Sequence, residues 1–142
     1  MTDKSLSWVV VAFIAMSSAG CSQKKSMGLE EIRSQIRSAL SAAAESEMLI
    51  DFVLQGRATR SYAEGHAAYL EDQVRQSAKE FENAISQPEA KPSFDTCRTQ
   101  LNAMVGELSA IRSAMQDRSR LADAMARMVE IRRSLERVNS SP

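Results

Sequence analysis

Histidine occurs once in the 142 residues, at His66, and cysteine twice, at Cys21 and Cys97. Protein metal sites generally draw on three or four ligands, so a lone histidine argues against one. Glycine and proline are scarce, at 5 and 3, and aromatics make up only 5% of the chain, while Ala, Ser, Met, Leu, Glu and Arg are plentiful. That is the composition of a helical bundle. Neither charge predominates, with 18 acidic and 18 basic side chains, so nothing biases the chain towards nucleic acid or another polyanion. A glycine-rich phosphate loop, a Ser/His/Asp set and a basic patch interleaved with aromatics are all missing, and no catalytic role is expected.

One long apolar run is present, Leu6 to Ala19, after a weakly positive start in which Lys4 and the α-amino group are partly offset by Asp3. It falls short of the roughly twenty residues that a helix needs to cross a hydrocarbon core. Its length and small-residue ending fit the apolar region of an export signal. An uncleaved, tilted N-terminal anchor is the other reading.

The run closes on Ser18-Ala19-Gly20-Cys21, which resembles the lipobox of bacterial lipoproteins. The resemblance covers the signal and Cys21 only. It implies that residues 1–20 are a signal peptide removed before Cys21, and that Cys21 becomes a diacylated N-terminus. The family prefers an aliphatic residue three before the cysteine, where this chain has Ser18; an ordinary secretory cut at Ser17-x-Ala19 or Ser18-x-Gly20 is the alternative. Ser22 stands where the enterobacterial inner-membrane retention signal has Asp, so the resemblance points to the outer membrane, facing the periplasm. Two or more acyl chains hold a soluble domain stably on a membrane where one does not. Residues 21–28 then read as a polar tether, with Lys24 and Lys25 able to lie against anionic head groups.

The remainder is one domain, 29–138, with a tail at 139–142, expected to be an all-α antiparallel bundle of three or four helices. Leu29, Ile32, Ile36, Ala39, Ala43, Ser46, Ile50 and Val53 alternate spacings of three and four, predicting a helix over 29–55 capped by Gly56. Ser61-Tyr62-Ala63-Glu64 matches a capping box for a second helix, with the stripe Ala63, Ala67, Leu70, Val74, Ala78, Phe81 and Ile85, ended by Pro88. The short connection makes the first two helices antiparallel. Ser93 opens a third helix, with Phe94, Cys97, Leu101, Met104, Leu108, Ile111 and Met115 on its apolar face. Leu121, Met125, Met128, Leu135 and Val138 lie very roughly 160° from that face on a helical wheel. The phase jumps at Gln116–Arg120: either the chain turns there into a fourth helix, which is favoured, or 93–138 is one long helix with two faces.

Charge divides by segment. Residues 29–55 and 61–87 each carry five acids against two bases, a net −3, while 117–138 carries six arginines against four acids, a net +2. Packing of the basic segment beside the acidic pair is expected. The sharper reading docks Arg132, Arg133 and Arg137 on an acidic partner or membrane.

His66 borders the second stripe and reads as a structural residue; Glu64 is two residues away, and neither the di-iron Glu-x-x-His pattern nor, at Cys97, the haem motif is present. Cys97 reads as a buried, inert thiol, with an intermolecular disulfide or a reactive thiol as the alternatives. Met104, Met115, Met125 and Met128 could hold Cu(I) through soft thioethers, but such side chains more often fill bundle cores. No cofactor, metal or catalytic residue is assigned. Two functions follow: a lipid-anchored envelope module that binds another envelope protein or its own copy, or a small-molecule or metal carrier using the bundle core near Tyr62, His66 and Tyr69.

Overall fold

The structure, a computed structural model, describes residues 24–141. Four helices carry the apolar stripes: α1 (Leu29–Leu54), α2 (Arg60–Glu82), α3 (Lys91–Ser113) and α4 (Arg118–Asn139). The connections are short, so neighbours run antiparallel, and the contacts follow the ring α1–α2–α3–α4. The stripes converge on one core in which Ile32, Ile36, Ile50, Leu70, Phe81, Leu101, Met104, Leu108, Leu121 and Met128 are fully buried. Ser46 shares that core because its hydroxyl donates to the Ala42 carbonyl at 2.7 Å, which satisfies it within its own helix.

The ends of α1 and α4 follow from their caps. Gly56 has φ +69°, and its N–H and that of Arg57 reach back to the carbonyls of Val53 and Phe52. This is the Schellman closure that a left-handed residue permits. Between α3 and α4 the chain turns at 114–117, and Asp117 caps α4 by accepting from the Arg120 N–H at 3.0 Å. The phase jump thus marks two helices. Leu121, Met128 and Leu135 face the core with Ala124 and Ile131, whereas Met125 and Val138 are half-buried.

Three boundaries differ from the sequence reading. Thr59, not Ser61, caps α2, accepting from the Tyr62 N–H at 3.3 Å; Glu64 pairs with Arg60 at 2.6 Å instead of closing a capping box. α3 begins at Lys91, ahead of Ser93, because Pro92 suits a first turn whose N–H groups have no helical partner. The tether is partly structured: Lys25–Met27 forms a strand, β1, that pairs in parallel with β2 (Ala84–Ser86), with Lys25 opposite Ala84 and Met27 opposite Ser86. β2 occupies the end of the expected second helix, so Ile85 is exposed while Ala84 is buried. Met27 is 1% exposed and joins the core. The pair clasps the N-terminal entry of the domain to the α2–α3 connection, at the end of the bundle where α1 starts.

Candidate functional site

Cys21, the one assigned modification residue, lies outside the described residues. The rest of the candidate chemistry falls within them.

Tyr62, His66 and Tyr69 rise along one side of α2 at spacings of four and three. Their rings stack in sequence, with centroids 5.6 Å and 6.1 Å apart. His66 Nε2 lies 2.9 Å from Glu45 Oε1 of α1, closing the α1–α2 seam, and Gln73 donates to the Tyr69 hydroxyl. Tyr62 and Tyr69 are 56% and 54% exposed, so this strip lies on the surface and not in the bundle core where the carrier reading put it. Met48, exposed on α1, belongs to the same hairpin and had no signal in the sequence beyond its place off the stripe. Among the described residues, no three His, Cys, Asp or Glu side chains are grouped to hold a metal ion. Met104 and Met128 are fully buried in the core and Met115 and Met125 pack against it, consistent with thioethers filling irregular space.

Cys97 is fully buried, and burial pushes its thiol up to about 12. Thiolate is the reactive form, so the native protein is expected to leave Cys97 unmodified by a thiol reagent at pH 8, whereas the urea-unfolded chain reacts promptly. Fast labelling of Cys97 in the folded protein would contradict this burial.

Arginines fasten the helices to one another. Arg132 of α4 binds Glu47 of α1 at 2.7 Å and Glu136 at 2.6 Å; Arg127 of α4 binds Glu107 of α3 at 2.7 Å. Arg133 pairs with Glu130 in its own helix, and Arg137 has no ion-pair partner among the described residues. Of the three arginines expected to lead a docking contact, Arg132 is therefore committed to the fold. α4 packs beside α1 and α3 and not beside α2, so only half of the expected acidic pair flanks it.

The acidic side of α2 is answered from α3. Glu71, 4% exposed and unmarked in the sequence reading, accepts from Arg112 of α3 at 2.8 Å and from Arg75 one turn on. Its i+4 spacing to Arg75 was the one local hint. Arg112 foremost, then Arg75, hold its carboxyl below the ordinary value of 4.5 against the opposing effect of burial. A carboxylate whose folded pKa is lowered stabilises the fold above the unfolded value and loses that contribution as pH falls through the folded one. Glu71→Gln is therefore expected to lower the urea midpoint at pH 7, with the gap to wild type closing as pH drops below about 4.5. A gap that stayed constant down to pH 2 would show that the charge of Glu71 does not matter.

On the opposite side of the bundle, Ala103 and Glu107 of α3 and Ala126, Arg127, Glu130 and Ile131 of α4 line an outward-facing, mainly apolar groove of about 390 Å³. Glu107 Oε2 is buried and has no hydrogen-bond partner. No family model, curated protein or solved structure matches this chain.

Proposed function

We propose that the chain is a lipid-anchored protein of the bacterial cell envelope, held to the outer membrane through Cys21 and facing the periplasm, whose helical domain is a non-catalytic interaction or scaffold module. The observation that carries this is Ser18-Ala19-Gly20-Cys21 at the end of a short apolar run. Two features fit it. No described helix is long and apolar enough to cross a membrane; in this reading the four helices stand beside the bilayer. β1 begins at Lys25, four residues after Cys21, and four residues reach at most about 14 Å. The clasp end of the bundle would then stand close to the head groups, with the helices leading away from them.

A Cys21→Ala variant expressed in bacterial cells is expected to lose incorporation of labelled palmitate and to leave the detergent-soluble membrane fraction. Retention of both label and membrane association in the variant would sink the anchor. The carrier reading now rests on the surface strip Tyr62–His66–Tyr69, and native mass spectrometry of protein purified from its host tests it. A bound metal or small molecule would support the carrier; a clean apo mass would remove it.

A further inference from the structure

We infer that the domain self-associates in a heterologous, side-by-side manner, the α1–α2 face of one copy seating on the α3–α4 face of the next. Charge is segregated between the two hairpins. α1 and α2 together carry ten acidic side chains against five basic, a net −5, whereas α3 and α4 carry nine basic against five acidic, a net +4. The ring order places these hairpins on opposite sides of the bundle. Glu47–Arg132 and Glu71–Arg112 pair between the hairpins. That leaves eight acids against five bases, a net −3, on one and seven bases against five acids, a net +2, on the other. A second copy therefore supplies a face of opposite charge to either side of the first, which is the complementarity that steers and orients association.

Shape follows the same division. The large exposed apolar side chains Met48, Tyr62 and Tyr69 project from the acidic hairpin. The basic hairpin instead has the groove floored by Ala103, Ala126 and Ile131. Its buried acceptor, Glu107 Oε2, has no donor, and an acceptor left unmatched in this way is costly.

The two features also lie equally far from the C-terminal ends of their helices, which both run towards the clasp. Tyr69 is thirteen residues before the end of α2 at Glu82, and Ala126 is thirteen before the end of α4 at Asn139. Each is about 20 Å along its own helix from that helix's last residue. Copies standing on one membrane by that end bring Tyr69 level with the groove. This last step rests on the lipid-anchor reading; the charge and shape arguments do not. Because each copy offers both faces, the contact repeats from copy to copy and does not close as a symmetric pair.

The test uses full-length chains in bacterial cells. Gln73→Cys and Glu130→Cys, nine residues before Glu82 and Asn139 respectively, are placed on two differently tagged copies that keep Tyr69. Mild oxidation is expected to give a mixed disulfide joining the two tags, absent when either variant is expressed alone. Tyr69→Ala is expected to abolish it, and Tyr69→Phe, which keeps the ring, to preserve it. No mixed disulfide, a Gln73→Cys pair joined to itself, or an adduct to a different protein would each overturn the inference. Palmitate incorporation is read in the same cells. Labelled chains without the mixed disulfide overturn self-association and leave the anchor standing; unlabelled chains with it overturn the anchor alone.

Discussion

Replacing Phe81 by alanine is expected to cost about 3–5 kcal/mol of folding stability. The whole stability of a domain this size is about 5–15 kcal/mol, so the variant should be close to unfolding. Phe81 sits in the last turn of α2 with no exposure, and its ring centroid lies 4.9 Å from that of Phe94 in the first turn of α3. α2 and α3 share the most extensive contact in the bundle, and this tilted ring pair closes it just where the chain passes through β2. Removing the ring loses its transfer energy, opens a cavity and strands Phe94 without its aromatic partner. Urea unfolding followed by circular dichroism checks this: the midpoint should fall steeply for Phe81→Ala and much less for Phe81→Leu, which keeps most of the volume. A loss under about 1 kcal/mol for the alanine variant would mean that Phe81 is not in the core.

Met27→Ala should act differently, although Met27 is 1% exposed. The side-chain loss alone is about 2–4 kcal/mol. β1 has only three residues, however, and a two-stranded sheet has little stability of its own. Burial of Met27 and the hydrogen bond from the Gln87 N–H to the Met27 carbonyl at 3.1 Å keep the strand in place. The cheaper response to the substitution is for β1 to peel away while the four helices remain packed. Amide exchange over residues 84–87 is therefore expected to accelerate by about thirtyfold, the equivalent of about 2 kcal/mol, with little change in the cores of α1 and α3. Unchanged exchange at 84–87 would show that the clasp does not depend on Met27.

The contrast between these two positions tracks how much of the fold was legible. A residue such as Phe81 belongs to a run of seven-residue repeats, and periodicity over several turns identifies the buried face of a helix whatever the partner is. The turn near Gln116 was legible for the same reason, because two faces half a turn apart cannot both meet one core. Strands of three residues carry no period. Ile85 continued the α2 stripe on paper, yet the helix stops at Glu82, Ala84 turns inward and Ile85 turns out. Small buried residues such as Ala90, Ala114 and Ala124 are invisible to a search for large apolar side chains. Glu71 was hidden by its charge: its burial depends on Arg112, forty-one residues away, and only the assembled bundle brings the two together.

The candidate site divides along the same line. Cys21 is proposed from its neighbours in sequence alone, as a matter of local chemistry. The tyrosine strip, the charge division between the two hairpins and the vacant acceptor at Glu107 depend on which helices stand side by side. The segment charges were counted correctly from the sequence, but the ring order decides their meaning. α4 turns Arg132 to Glu47 and Arg127 to Glu107, and α3 turns Arg112 to Glu71, so part of the acidic surplus of the α1–α2 hairpin is neutralised across the bundle and the rest stays outside these pairs.

Mass spectrometry of the mature N-terminal peptide, taken from the membrane fraction of cells making the full-length chain, tests the central claim most directly. A lipoprotein gives a peptide that begins at Cys21 and carries at least a diacylglyceryl group on its sulfur. A peptide that begins at Gly20, begins at Cys21 with a free thiol, or still carries Met1 would contradict it.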